Sequence, residues 1–218
     1  MKEFSKDVIE KAYEDQGHKL GWSFMGTPEE ALRSAKVAIV GLNPGGGGDP
    51  SQYGRHWDSE KNTYFSERWG ARDTYNPLQK QIHRWHELLG LAEDDVLCAQ
   101  FVPFRSPTWD KLENREAAIE TARKLWTWVL GISPAQLFIT MGKMPAQYLA
   151  ELMEAKWVAR MSTGWGNASI DVYDSPDGKR ILAMPHPSRY GIFGRDNGQS
   201  EDVEKLFKEA ASFASMKR

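Results

Sequence analysis

Four short, mostly apolar runs punctuate the chain, and each stops at a cluster of Gly, Pro or polar residues. They are Val37–Val40 (continuing to residue 42), Val96–Val102, Gln136–Met141 and Arg180–Met184. Runs of this length and composition describe strands buried on both faces. Between and around them, apolar positions recur at helical spacing and predict helices over 4–16, 28–35, 77–89, 113–130, 144–155 and 200–214. Thr27-Pro28-Glu29-Glu30 reads as a helix start, with Thr27 as the cap and Pro28 at the first helical position. Strands that alternate with helices imply an α/β fold, a three-layer α/β/α sandwich with a central four-stranded parallel sheet. Residues 157–178 show no clean period and fit a small hairpin closed by Pro176-Asp177-Gly178. Residues 43–75 are irregular but hold Tyr53, Trp57, Tyr64, Phe65, Trp69 and Tyr75, and so long a connection signals function or mobility. No repeat or linker interrupts the pattern, so 1–218 reads as a single domain.

In a parallel sheet the carboxyl ends of the strands share one edge, and ligands bind in the crevice beyond it. Here the four strands end in GLNPGGGG, QFVPFRSP, MGKMPAQ and MPHPSRYGIFGR. The first turn presents Asn43 and bare backbone to that crevice. It is not a phosphate loop, since GxxxxGK[ST] is absent, and no GxGxxG opens a helix. Cys98 is the only cysteine, which excludes an intrachain disulfide and any all-cysteine metal or iron–sulfur site. His83 and His86 stand three residues apart beside Glu87, but further ligands at motif spacing are missing, so they read as ordinary helix residues. The charged runs in 113–124 and 200–209 read as solvated helix faces. A net charge of −2 gives no global push toward nucleic acid, though a local basic rim would serve. No apolar run is long enough to span a bilayer and the first residues lack a signal peptide's core, so the expected location is cytoplasmic, without a membrane.

The first and last turns resemble the two signature motifs of the uracil-DNA glycosylase superfamily. GLNPG resembles the water-activating motif of its mismatch-specific and single-strand-selective branches. HPSRYGIFG resembles the motif whose histidine assists the leaving base and whose loop probes the duplex. With the order and spacing of the strands, the resemblance runs from Val37 to Arg195. It implies a monofunctional DNA glycosylase that flips a pyrimidine nucleotide and hydrolyses its N-glycosidic bond, with DNA as partner, no cofactor or metal, and a monomer as the working form. Negative charge builds on the departing base while the sugar becomes oxocarbenium-like, so a water-orienting group and a donor to the new anion are the minimum needed.

By that resemblance Asn43 holds the water through its amide oxygen, where some branches carry Asp. His186, stiffened by Pro185 and Pro187, donates to the leaving base. Gly41, Leu42, Phe65 and Gln100 bind the base. Phe65 is the stacking platform, and Gln100 stands where many members read the pyrimidine with an Asn one methylene shorter. Gly45 and Gly46 let DNA approach closely, with Ser106, Lys143 and Ser188 on flanking phosphates. Arg189, Tyr190, Ile192 and Phe193 stand where relatives carry a wedge; the alternative for Ile192 and Phe193 is a place under the last helix. The run Gly45–Gly48 lacks the bulky aromatic that strict uracil enzymes set against C5, which leaves room for a modified cytosine such as those of phage DNA. No lysine matches a nucleophile position, so no lyase step is expected. The alternatives are a non-catalytic DNA-binding member and a nucleoside or nucleotide N-glycosidase.

Overall fold

The computed structural model describes residues 4–47, 49–195 and 198–215. In chain order they form α1 (Lys6–Asp15), a two-residue strand β1 (Trp22–Ser23), α2 (Ala31–Ser34), β2 (Val37–Gly41) and a two-residue β3 (Arg55–His56). Then follow α3 (Thr63–Ser66), α4 (Pro77–Leu89), β4 (Val96–Gln100), α5 (Arg115–Ile132), β5 (Leu137–Met141) and α6 (Lys143–Leu152). The chain closes with β6 (Lys156–Ser162), β7 (Ser169–Asp174), β8 (Arg180–Met184) and α7 (Gly198–Ser215). None of the helices among the described residues is long and apolar enough to cross a membrane.

The main sheet has six strands in the order β4-β2-β5-β8-β7-β6, not the four expected. The expected four are present and mutually parallel. Two more, β7 and β6, pair antiparallel beyond β8 and extend the sheet by a hairpin. Their absence from the strand pattern has a physical cause. The edge strand β6 is mostly exposed and so carries no apolar run. In β7 the buried face is broken by Asp171, which is paired with Lys143 and Arg160. Pro176-Asp177-Gly178 does close a hairpin, the one between β7 and β8, with Gly178 at φ 88°.

Side chains of successive strand residues point to opposite faces, and this splits the core in two. Ala38, Val40, Leu97, Ala99 and Phe138 pack with Leu125, Trp126 and Val129 of α5 and Leu149 of α6. Val37, Ile39, Cys98, Ile139 and Leu182 pack on the other side with Ile82 and Trp85 of α4 and Phe207 of α7. The sheet is thus covered on both faces, as the sandwich reading requires.

Local signals set the helix ends with mixed success. At α4 the Asn76 side chain accepts from the Gln79 backbone N–H, Gln79 returns the bond, Pro77 opens the helix and Gly90 closes it at φ 62°. Thr27, by contrast, is not a cap. Its hydroxyl is fully buried and accepts from the Cys98 backbone N–H at 3.3 Å, while α2 starts after Glu30. Residues 24–26 lie along the outer edge of β4, with Gln100 N–H donating to Phe24 and Gly26 N–H donating to Cys98. That pairing covers an edge that would otherwise expose unpaired backbone.

Candidate functional site

The crevice lies where β4, β2, β5 and β8 end side by side. The register sets Gly41 opposite Gln100, Val40 opposite Thr140, and Met141 opposite Met184. The polar turns of all four strands therefore share one edge. Asn43 leaves β2 into this crevice, and its amide is held by its nitrogen. Nδ2 donates to Ser106 Oγ (2.8 Å), the Pro44 carbonyl (3.2 Å) and the Phe104 carbonyl (3.3 Å). Three acceptors around one nitrogen fix which way the amide points. Among the described residues Oδ1 has no hydrogen-bond partner, and it is not enclosed.

Ser106 was expected on a DNA phosphate. It is instead buried (3% exposed), accepting from Asn43 and donating to the Thr108 carbonyl at 2.9 Å. Its hydroxyl is spent on orienting the amide. The carbonyls of Gly41 and Leu42 accept from the Phe101 and Val102 N–H groups (2.8 Å each). Gly41 matters for space: a Cβ there would lie 2.2 Å from Gln100 Oε1, so only glycine lets the glutamine lie across the strand end. Gln100 Oε1 is buried and has no hydrogen-bond partner, an arrangement that costs stability unless a donor is supplied.

At the end of β8, His186 is exposed to the crevice and its Nδ1 lies 2.8 Å from Ser188 Oγ and 3.3 Å from the Ser188 backbone N. A backbone N–H can only donate, so Nδ1 is the acceptor and the ring proton sits on Nε2. Desolvation, and then the Arg189 charge beside it, push the His186 pKa below its ordinary value. The imidazole is thereby held neutral, with Nε2–H as a donor. Ser188 serves the ring and remains exposed, as does Arg189; Tyr190 is half-buried.

Ile192 and Phe193 do not form a wedge. They are 2% and 3% exposed, and Phe193 packs on Phe207 of α7 with ring centroids 5.1 Å apart. Gln81 of α4 clamps their backbone, accepting from the Ile192 and Phe193 N–H groups (2.9 and 3.0 Å) and donating to the Phe193 carbonyl (3.1 Å). Two apolar side chains in a polar turn gain more from cover than from water, and α7 provides that cover.

Phe65 lies in α3, next to Tyr64, whose hydroxyl reaches Met141 Sδ at the end of β5 (3.7 Å). Its half-buried ring stacks on His83 (4.2 Å, 18°) and meets His86 edge-on (4.8 Å, 73°). His83 and His86 thus back an aromatic surface, and no group of three or more His, Cys, Asp or Glu among the described residues could hold a metal. Lys143 pairs with Asp171 at 2.8 Å, its side chain still 45% exposed.

Gly45 is exposed, and a Cβ built there would meet nothing within 4 Å. Gly46, at φ 148°, lies against Tyr53 and Arg105, while Gly48 lies outside the described residues. The Tyr53 hydroxyl donates to the Gly47 carbonyl (3.0 Å) and accepts from its N–H (3.1 Å). Arg105 stacks on Tyr53 (4.6 Å) and donates to the Gly45 carbonyl. Tyr53, Gln81, Arg105 and Trp165 were not singled out as site residues from sequence. The signals available were an aromatic near a glycine run, an arginine at a strand end, and a Trp between glycines.

An α/β sheet that gathers its polar turns on one edge is a ligand-binding architecture of a general kind. Comparison narrows it. The description of the uracil DNA glycosylase superfamily matches residues 28–210, most of the chain, and the chain belongs to that superfamily. Its members are in general DNA glycosylases, hydrolases of base excision, although some are non-catalytic. No curated protein matches the chain.

Proposed function

We propose that this chain is a monofunctional DNA glycosylase that flips a pyrimidine nucleotide and hydrolyses its N-glycosidic bond, leaving an abasic site. The observation that carries the reading is the Asn43 amide, whose nitrogen is tied to three acceptors while its oxygen is left open. Oδ1 accepts from a water and aims it at the sugar C1′. The bond from C1′ to the base nitrogen breaks with its electron pair leaving on the base. The water oxygen bonds to C1′ and gives up a proton, and the departing base gains one. An amide is no general base, so the water attacks a sugar already close to an oxocarbenium ion. Neutral His186 donates from Nε2 to the base's carbonyl oxygen as charge builds there. Gln100 reads the base edge through its unpartnered Oε1, which favours a base presenting an N–H. Phe65, backed by His83, is the stacking platform.

The base is a uracil-type pyrimidine or a bulky C5-modified cytosine, and the open space at Gly45 favours the second. Excision of such bases would suit a defence against modified phage DNA. We place the enzyme as a monomer in the cytoplasm. The test is a glycosylase screen read by alkaline cleavage. One set of DNAs carries uracil, hypoxanthine or thymine mismatches; the other is phage DNA with plain, hydroxymethylated or glucosylated cytosine. Abasic sites are expected in one set, and are expected to vanish in Asn43→Ala and His186→Ala proteins that still fold. DNA binding without abasic sites would make the chain a non-catalytic member, and activity on free nucleosides alone would make it a nucleosidase.

A further inference from the structure

The hairpin that extends the sheet also reaches the crevice. β7 runs antiparallel to β8 with Asp171 opposite Ala183, and Ser162 of β6 pairs with Ser169 of β7. The tip at 163–168 therefore projects beyond the end of β8, on the same side as His186. It is rigidly built. Buried Thr163 donates from Oγ1 to the Ala168 carbonyl (2.8 Å), Ala168 N–H donates to the Trp165 carbonyl (2.8 Å), and Gly164 and Gly166 take φ of 71° and 50°. This turn holds out Trp165, which is 42% exposed.

Trp165 is tied to the HPS turn. Its Nε1 donates to the Gly191 carbonyl (3.2 Å), its ring meets Tyr190 edge-on (6.2 Å), and the Arg195 guanidinium lies on it at 4.7 Å. Arg195 Nε and Nη2 are enclosed without hydrogen-bond partners, so the indole face is what receives them. Residues 159–170 and 185–195 contain Arg160, Arg189 and Arg195 and no Asp or Glu; Asp171 and Asp196 follow directly in sequence, and Asp171 pairs with Arg160, so the positive charge at the tip rests on Arg189 and Arg195. In a chain of net charge −2 this is a local basic rim. A rigidly presented, exposed indole backed by arginine is costly in water and suited to a partner with flat faces and phosphates.

We infer that the β6–β7 hairpin tip is the duplex-opening element, with Trp165 packing against the bases left unstacked when the target nucleotide is extruded. This rests on the base-flipping reading above, and it gives Trp165 the place that buried Ile192 and Phe193 cannot take. Arg195 stiffens the indole from behind, and Arg189 faces the flanking phosphate.

The test compares wild type, Trp165→Ala and Trp165→Phe on a duplex with one abasic-site analogue beside 2-aminopurine, and on the same strand alone. Stacking on an aromatic has a worth that corresponds to about five- to 150-fold in affinity. Trp165→Ala is expected to lose that much duplex binding and the 2-aminopurine signal, while single-strand binding stays within about twofold. Trp165→Phe, which keeps a flat ring, is expected to recover most of the duplex binding. Unchanged duplex binding in Trp165→Ala would overturn the inference, and so would equal losses on both DNAs or no recovery with Phe. A duplex-specific effect of Trp165 in a wild type that excises no base would uphold the inference about the tip while sinking the glycosylase reading.

Discussion

Replacing Asn43 by Asp is the sharpest test of how the crevice is built, because simple chemistry and the local geometry point in opposite directions. A carboxylate is a stronger base than an amide, and some superfamily branches carry Asp at this position, so Asn43→Asp invites the expectation of a faster enzyme. The neighbours argue otherwise. The position now held by Nδ2 faces two carbonyl oxygens, at 3.2 and 3.3 Å, and Ser106 Oγ at 2.8 Å. A carboxylate oxygen there has no proton for the carbonyls, and Ser106 can serve it only by leaving the Thr108 carbonyl. The two amide protons shared among these acceptors, at about 0.5–1.5 kcal/mol for each bond, give a loss of about 1–3 kcal/mol before any charge repulsion. For a protein of this size that is a fall in Tm of roughly 2–12 °C. The site favours the protonated acid, which can donate, so the folded pKa of the new carboxyl lies above its unfolded value of about 3.9. The sign follows: the deficit relative to wild type is small below that value and grows as pH rises towards the folded pKa. Thermal denaturation of both proteins at acid and at mildly alkaline pH reads the deficit, and single-turnover excision reads the chemistry, expected to be slower in the variant at neutral pH. A variant as stable as wild type at alkaline pH, with equal or faster excision, would refute the orientation assigned to the amide and with it the open Oδ1.

Two further outcomes follow from the same crevice. Desolvation and Arg189 lower the His186 pKa, so the neutral donor persists as pH falls through the ordinary imidazole value of about 6.5. Single-turnover rates are expected to stay flat across that value and to fall only at lower pH, and an inflection at or above it would contradict the neutral-donor role. Gln100→Met removes an unpartnered buried oxygen at nearly constant volume, so stability measured by denaturant unfolding is expected to hold or rise by up to about 1 kcal/mol. Excision should drop in the same protein, and a variant that kept full activity would remove Gln100 from base reading.

What the sequence made legible was whatever is encoded locally. The apolar runs at 37–40 and 180–184 mark strands because both their faces are buried. The limits of α4 follow from Asn76-Pro77 and Gly90, signals that act within one turn of the helix. Misreadings cluster where the deciding partner is distant. Thr27 has the composition of a cap but is claimed by Cys98, and Ser106 looks available for phosphate until Asn43, 63 residues earlier, takes its hydroxyl. The edge strand β6 carries little burial and hence little pattern, and in β7 a buried Asp171, held by partners 11 and 28 positions away, interrupts the apolar run. For Ile192 and Phe193 the sequence reading preferred the exposed wedge over cover, and the outcome depended on where α7 lands. Asn43 itself was identified from its motif, but which of its two amide atoms faces outward is a property of the folded chain alone.

Gln79 and Gln81 lie two residues apart near the start of α4 and hold opposite things. Gln79 donates to the carbonyls of Tyr64 and Glu67 (3.1 and 2.9 Å), fixing the segment that carries Phe65, while Gln81 fixes residues 192–193 behind the HPS turn. A single strut thus sets the spacing between the aromatic wall and the histidine turn. On the glycosylase reading proposed above, such a site selects by exclusion. A base that is too small forfeits only contacts, about 1–3 kcal/mol for a methylene, whereas one too large meets walls that do not yield. Over Gly45, as over Gly142 and Gly191 in the neighbouring turns, an added side chain meets nothing. A lineage that keeps the strut could therefore exchange one target base for another through these open turn positions, with the fold and the chemistry left as they stand.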